Sequence, residues 1–439
     1  ENALPTFEYT EAVIRNLNSE ELEKIKGYKM LITNTFETST YSEKSRNKII
    51  VYHKIIPIRL NPSSNQYEYL ESYVPNWNFQ KENLDLQSKI SKKNAQVTAT
   101  NSAVLSTGNW FKIGVTQNGI YKLDKTALTK LGINTAAINP KNIRIYGNGG
   151  KLLSEKNSDF KYDDLRENAI EVIGESDSIF DVTDYVLFYG QSTDDWKHRT
   201  GSTMPFEHQM HYYSDTSFYF ITTDLGIGKR VQAQNTLSNA PSQTTSKQDF
   251  YGIHEINATN VVKSGREFFG EKFDFNSSYS FAFNIPDAVV GDSLFVHTRI
   301  LGRANSVSNY GVNFNNGSFI VSCAPTNTSD YLADIGYIGE GFKGGLLGSS
   351  NLAVTVTKQT SDATGWLDKI EFNCRRNLVF NSSQFNFRDR KVIGGSGSFA
   401  KYILINNNTL PTKIWDITNP LNPYKQLYNQ ISNTIDFTA

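Results

Sequence analysis

The sequence predicts a mostly-β, multi-domain chain with minor α, in which β-sandwich or jelly-roll-like domains follow a small α+β region. Three observations carry this expectation. Short aromatic or β-branched runs recur along the chain and are broken by Asn, Gly, Ser and Asp, the residue types of strands and of the turns between them. Tyr and Phe are abundant, at 23 and 27, whereas Met numbers only 3. The 439 residues leave room for about two to four domains of ordinary size, and no repeat of fixed period organises them.

The first residues read α then β. Ser19 is the expected N-cap of a short helix that carries Leu22 and Ile25 on one face and stops at Gly27. "NKIIVYHKIIPIRL" (Asn47 to Leu60) has large apolar side chains at alternate positions on both faces, which predicts a central strand with Pro57 at an edge, a bulge or its end. This gives a region over 1–90. "SKKNAQVTATNSAVLST" lacks either period and predicts a linker over 91–107.

A mostly-β domain is expected over 108–231. It opens with "GNWFKIGVTQNGIYKLDKTALTKLGI", in which strands at Trp110–Val115 and Ile120–Leu123 flank Asn118-Gly119. That dipeptide is a strong hairpin signal, because a type I′ turn needs φ > 0 at both central residues. Asp124 then caps a helix with Leu128 and Leu131 on it, and Gly132 ends it. "NIRIYGNGG", "YVLFYGQS" and "SFYFITTD" are further strands. The polar stretch "QAQNTLSNAPSQTTSKQD" predicts a second linker over 232–249. A β-sandwich domain is expected over 250–425, from segments near Phe281–Ile285, Ser293–Leu301, Tyr310–Phe314, Ser318–Ser322, Asn351–Thr357, Asp368–Cys374 and Phe399–Ile405.

Composition narrows the function. Lys+Arg and Asp+Glu are both 44, so the net charge is zero and nothing electrostatic favours nucleic acid or an anionic membrane as the main partner. The 2 cysteines, Cys323 and Cys374, exclude a disulfide scaffold but allow one bridge. No apolar run approaches the ~20 residues of a membrane-spanning helix. The opening "ENALPTFEY", without an initiator Met, is expected to be a mature start left by a removed signal peptide.

Possible chemistry is sparse. His208 and His211, with His198 and Asp215 nearby, have residue types that bind zinc, but the H-E-x-x-H pattern is missing and an ordinary turn is expected. Glu175, Asp177, Asp181 and Asp184 could offer oxygens to calcium; without EF-hand spacing, they are expected to serve the turn. Cys323 and Cys374 sit in strand-like runs without the context that activates a thiolate, so buried thiols or one disulfide are expected. "GEGFKGGLLGSS" (Gly339 to Ser350) lacks the G-K-[ST] of a P-loop and is expected to be a loop. Sequons at Asn257, Asn276, Asn316, Asn327 and Asn381 follow from the Asn-rich composition. No catalytic, cofactor-binding or metal residue is assigned, and no cofactor is expected.

Several stretches together resemble one family. They are the opening stretch above, "NPKNIRIYGNGGKLL", "DYVLFYGQSTDDW", "HYYSDTSFYFITTDLGIGKRV", "YIGEGFKGG", "GWLDKIEFNCRRNLVF" and "IWDITNP". In order from about Gly108 to Pro420, they are similar to the PorU-type sortases of the bacterial type IX secretion system, relatives of the gingipain cysteine peptidases. The resemblance implies surface-exposed cysteine transpeptidases that remove the C-terminal signal domain of secreted cargo and join the cargo to anionic lipopolysaccharide. It implies a pro-domain-like role for 1–90. It further implies that the catalytic His and Cys lie in a caspase-like α/β domain absent from this chain, to which 426–439 would lead. The chain alone is therefore expected to be inactive. Implied partners are the outer-membrane barrel PorV and the attachment-complex proteins PorQ and PorZ, at the cell surface. The rival reading is a cell-surface glycan-binding or adhesin module, for which Trp196, Trp366 and Trp415 would offer stacking faces. A third, a metallohydrolase, would centre on His208 and His211.

Overall fold

In the computed structural model, residues 6–45, 48–78, 103–199, 204–263, 266–393, 398–409 and 412–439 are described. Strands dominate, and the two α-helices among the described residues are 6 residues long each. The chain divides into two units, 1–98 and 99–439.

In the first unit, Thr6–Asn16, Gln66–Asn78 and Ile58–Asn61 form an antiparallel sheet, with Gln66–Asn78 in the middle. The strand expected to be central is instead split. Among the described residues, Lys48–Ile55 pairs only with Thr38–Ser45, and the strand breaks at Ile56-Pro57 before Ile58–Asn61. Proline has no N–H to continue a ladder. The helix spans Ser19–Lys24 and its cap is Asn18 rather than Ser19: the Asn18 side chain accepts the Glu21 N–H, and the Glu21 carboxylate accepts the Asn18 N–H. This reciprocal pair is a capping box. The helix stops before Gly27 and continues as a 3-10 turn, Lys26–Leu31. Phe7 stacks on His53 with ring centroids 3.5 Å apart and meets Trp77 edge-on at 4.9 Å.

The linker expected over 91–107 lies mostly outside the described residues. Its last part holds a 3-10 turn, Val104–Ser106, anchored by the Val104 N–H on Asp164 (2.6 Å).

The second unit starts with two small sheets. One runs Phe111–Val115, Ser217–Thr222, Arg144–Tyr146, Glu167–Asn168; the other runs Glu171–Ile173, Tyr185–Gly190, Gly119–Asp124. Leu128, Ile143, Ile145, Phe188 and Tyr219 are buried between them. Asp124 caps the helix Lys125–Lys130 by accepting the Ala127 N–H, and Gly132 follows with φ +92°, as expected. The hairpin expected at Asn118-Gly119 is not formed. Phe111–Val115 pairs with Ser217–Thr222, Gly119–Asp124 pairs with Tyr185–Gly190, and neither Asn118 nor Gly119 has positive φ. The dipeptide is a corner between two sheets. Asn118 Oδ1 accepts the Ser192 N–H (2.9 Å), and Gln384 Oε1 accepts the Ile120 N–H (2.9 Å). Distant strands with more apolar faces outcompete the local partner, because sheet strength lies in side-chain packing.

A β-sandwich follows. Its front sheet runs Lys247–Glu255, Thr364–Asn377, Ser293–Arg303, Tyr337–Leu346, and its back sheet Ser278–Asn284, Asn351–Lys358, Ser308–Phe314, Gly317–Cys323. Alternation sorts the faces: Leu352, Val354 and Val356 are buried in the core, while Asn351 and Ala353 are exposed. The glycine-rich segment expected to be a loop is a ten-residue strand, Tyr337–Leu346. A Cβ on Gly339 would stand 2.5 Å from the Ser322 carbonyl oxygen, and one on Gly341 2.9 Å from the Phe319 ring. Glycine lets this strand cross Gly317–Cys323 at backbone distance and close one side of the sandwich.

The seventh expected strand, found at Ala400–Asn406, stands in another sheet. It pairs parallel with Gln243–Thr245 and antiparallel with Thr434–Thr438. Gln232–Gln234 pairs parallel with Tyr424–Gln426. The stretch 232–249, expected as a linker, thus carries two short strands and the start of Lys247–Glu255. Within 426–439, Ile435 and Phe437 are buried beside Leu378 and Leu404. Short parallel pairings made to distant segments leave no local period to detect.

Candidate functional site

Alternate residues of the front sheet point away from the core, and along Thr364–Asn377 Lys369, Glu371, Asn373 and Arg375 make them polar or charged. Register places His297 beside Glu371, Arg299 beside Lys369 and Glu340, and Tyr251 beside Asn373. A second element lies over this row: the hairpin Asp195–His198 / Phe206–Gln209, which projects from the first pair of sheets. Trp196 packs at a tilt against Tyr251 (centroids 3.9 Å) and His208 (4.9 Å), and the buried Phe206 packs on Tyr251 (5.7 Å). The main chain of the hairpin is also held. His208 donates its N–H to Glu371 Oε1 (3.2 Å), and Lys369 Nζ donates to the His208 carbonyl (3.2 Å).

The row is electrostatically closed on itself. Lys369 Nζ is 2.6 Å from Glu371 Oε1, and His297 Nδ1 is 3.2 Å from Glu371 Oε2, with Nε2 3.5 Å from Glu340. Burial pushes the His297 pKa down, but the hydrogen bonds to Glu340 and Glu371 outweigh it and hold His297 above its ordinary value. The same imidazole, together with Arg299 and Lys369, pulls Glu340 down to about 2. Burial pushes Asp368 up to about 6 against the opposing pull of Arg299 at 2.6 Å. These groups can exchange protons and hold a hairpin in place. The row contains no cysteine, so it is a clasp between β blocks and not the dyad of a cysteine peptidase.

A second polar knot lies where the sandwich meets the last sheets. Buried Arg375 contacts Asp249 (3.0 Å) and forks onto Asp389, which also accepts from Thr245 (2.6 Å).

The residues singled out from sequence fall as follows. His208 is buried, with Nδ1 3.6 Å from Glu255 and Nε2 4.0 Å from Asp194. His211 lies past the end of the strand, where its Nδ1 accepts the N–H of Tyr213 and Ser214. His198 packs on Phe206. Among the described residues, no three His, Cys, Asp or Glu side chains converge on a metal position. The acidic loop performs turn chemistry. Asp177 accepts the Ile179 N–H, Asp184 the Asp181 N–H, and Glu175 pairs with Arg230 (2.8 Å). Cys323 and Cys374 are free thiols buried in the sandwich core, and burial pushes them up to about 11 and about 12. The protonated thiol is a poor nucleophile. Trp366 and Trp415 are buried and Trp196 packs within the clasp, so none presents an open sugar-stacking face. Of the sequons, Asn276, Asn316, Asn327 and Asn381 are exposed, whereas Asn257 is half-buried and donates to Met210 Sδ. Sequence reasoning missed Glu371, His297 and Lys369. The available signal was the alternation in "WLDKIEFNCRR", where Lys369, Glu371, Asn373 and Arg375 alternate with Ile370, Phe372 and Cys374.

No protein-family model matches the chain, and no curated protein does. Among solved structures, it is similar to the crystal structure of dimeric latent PorU from Porphyromonas gingivalis, with a TM-score of 0.63 and 18% identity over 77% of this chain and 31% of that one. The chain therefore has a PorU-like fold, and it spans less than a third of that structure. Two other similarities are slight: CBM35 from Cellvibrio japonicus (TM-score 0.17, 14% identity, 23% of this chain and 68% of that one) and an exo-beta-1,3-galactanase from Phanerochaete chrysosporium (0.18, 16%, 47% and 41%). At those scores neither bears on function.

Proposed function

We propose that this chain is the non-catalytic N-terminal part of a PorU-type sortase. In this reading it docks the enzyme to its outer-membrane complex and shapes the cleft that receives cargo. The observation that carries it is the PorU-like fold over 77% of the chain, joined to the order of the sequence stretches that resemble the family. The chemistry agrees. Both thiols are buried and held in the protonated form, so a cysteine transpeptidase built on this chain must draw its nucleophile from residues outside it. In this scheme the whole enzyme would remove the C-terminal signal domain of cargo and attach the cargo to anionic lipopolysaccharide at the cell surface.

A scaffold suits that reaction. Transfer to an acceptor competes with hydrolysis, so the acceptor and a large protein substrate must be held in place while water is kept out. A chain with zero net charge would bind its partners, the barrel PorV with PorQ and PorZ, through packing more than through long-range charge. The test compares the whole sortase with a form lacking residues 1–430, each mixed with purified PorV in detergent. The expected result is loss of PorV from the truncated form, with binding by the whole enzyme only mildly dependent on salt. Equal recovery of PorV by both forms would move docking elsewhere.

A further inference from the structure

The strands of the sandwich gather four loops at one end. Ser278–Asn284, Ser308–Phe314 and Tyr337–Leu346 begin there, and Ser293–Arg303, Gly317–Cys323 and Asn351–Lys358 end there. The loops are 274–277, 304–307, 324–336 and 359–363. They carry Phe275, Val307, Tyr331 and Leu332, which are 100%, 49%, 92% and 77% exposed. One exposed apolar side chain is ordinary. Four on neighbouring loops, three of them almost wholly in solvent, are a shared property of that end.

The loops are tied to one another. Lys358 Nζ donates to the carbonyls of Asp274 (3.1 Å) and Ala363 (2.9 Å), and the Thr360 hydroxyl accepts the Asn309 N–H (3.0 Å). Asn305 Oδ1 accepts the Thr328 N–H (3.0 Å), and the Ala304 carbonyl accepts the Thr326 N–H (2.8 Å). Arg303 closes the longest loop by donating to the carbonyls of Thr328 (3.3 Å) and Ile335 (3.0 Å), and Asp330 accepts the Leu332 N–H (2.9 Å). The apolar tips are therefore set in place before any partner arrives, and little ordering entropy is lost on contact.

Charge narrows the partner. The four loops contain no Lys or Arg, so they offer nothing to an anionic headgroup or a nucleic acid. The cations next to them are engaged, Lys358 and Arg303 on main-chain carbonyls and Lys272 on Asp274 (2.7 Å). A protein partner would meet no continuous apolar surface, because Asn, Ser, Thr and Asp separate the four side chains, whereas interface cores are packed and dry. A bilayer sets no such condition. Each apolar side chain enters the headgroup boundary by itself, without a matching pocket, and aromatic rings sit well at that depth.

We propose that this end of the sandwich inserts Phe275, Tyr331 and Leu332, with Val307 beside them, into the interface of a lipid bilayer with neutral headgroups. The chain then touches lipid directly, whichever protein also holds it, and the contact stands apart from the sortase reading because it needs no other protein.

The test is flotation of the 439-residue chain with phosphatidylcholine vesicles, with and without added phosphatidylglycerol, at low and high salt. The tip variants are Phe275→Ser and Leu332→Ser. The control is Val182→Ser, which removes an apolar side chain that is 80% exposed on a loop of the first pair of sheets. All three positions are exposed, so circular dichroism should be unchanged. Wild type and the control should float with phosphatidylcholine alone and do so equally in high salt. Each tip variant should partition roughly tenfold more weakly, as the lost burial of one side chain of that size implies. Tyr331→Trp should add emission that moves to the blue when vesicles are present. A wild type that does not float with phosphatidylcholine would overturn the proposal. So would flotation that needs phosphatidylglycerol and disappears in salt, or flotation that both tip variants leave unchanged. If vesicles are ignored and the tip variants instead lose purified PorV, the tips serve a protein partner and the proposal falls.

Discussion

Replacing Arg375 by Met should destabilise the second unit by about 3 kcal/mol. Arg375 and its partners Asp249 and Asp389 are 2%, 6% and 4% exposed. Breaking a buried ion pair by removing one partner costs roughly 3–5 kcal/mol, because the remaining charge is left uncompensated. The low end applies here because both carboxylates keep other donors. Asp389 accepts from Thr245 (2.6 Å) and the Lys391 N–H (2.9 Å), and Asp249 accepts from the Arg390 N–H (2.6 Å). At the roughly 2–4 °C per kcal/mol of folded units of this order of size, Tm should fall by about 6 °C or more at pH 7. The pH dependence carries a sign. Burial pushes the Asp389 carboxyl up, but the hydrogen bonds from Arg375, Thr245 and Lys391 outweigh it and hold the carboxyl below its ordinary value. Its contribution is thus present above the unfolded pKa of ~3.9 and lost as pH falls through the lower folded value. The variant lacks the main stabilising donor, so its deficit should shrink on acidification, as the Asp389 carboxyl protonates. Scanning calorimetry at pH 7 and at a pH below about 3.9 measures this, and Arg375→Met with Asp249→Leu and Asp389→Leu should recover much of the loss. A Tm change under 1 °C at pH 7, or a deficit that grows on acidification, would refute the assignment of this knot as a coupled buried ion cluster.

Three other outcomes are expected. His297 is held above its ordinary value by Glu340 and Glu371, so its contribution is full below the unfolded pKa of ~6.5 and lost as pH rises through the folded one; the Tm gap between wild type and His297→Gln should narrow between pH 6 and pH 9, and a constant gap would argue against the ion pairs. Gln384→Ala and Gly119→Val each remove the Gln384 bond to the Ile120 N–H and should cost about 1 kcal/mol, with the double variant little worse than either single one in urea denaturation; additive losses would contradict a shared contact. Cys323 and Cys374 should resist a thiol-specific reagent in the native protein and both react after denaturation, whereas rapid native labelling would contradict their burial.

Much of the strand content was legible because its signal is local. The runs at Ser293–Arg303, Ser308–Phe314 and Asn351–Lys358 show period-two alternation, and Asp124 and Gly132 bound their helix by side-chain and backbone chemistry within a few residues. What failed was non-local. Asn118-Gly119 has the composition of a hairpin, yet tertiary packing gave its flanking strands to different sheets. The glycines of Tyr337–Leu346 signal a loop until a second backbone is seen crossing them. The clasp escaped notice for a related reason: Trp196 and His208 are far in sequence from Tyr251 and Glu371, and nothing in either segment names the other. The turn bonds of the acidic loop were legible because Asp177 and Asp184 close them within three residues, and of the two expectations for Cys323 and Cys374 it is the buried thiols that are found.

The late strands also return to the start of the second unit. Trp415 packs on Leu187 and Tyr189, Ala169 donates its N–H to the Leu421 carbonyl (2.9 Å), and Gln232–Gln234 waits for Tyr424–Gln426. A chain emerging from its N-terminus can therefore hold the first sheets only in part until residues near 424 are available. Such long-range closure slows folding, since the loop entropy must be overcome before the contacts form. It also keeps apolar faces such as that of Leu187 and Tyr189 uncovered for longer. The unit can therefore lock only once its last strands have arrived. A break anywhere between residues 235 and 410 would then cost the fold at both ends.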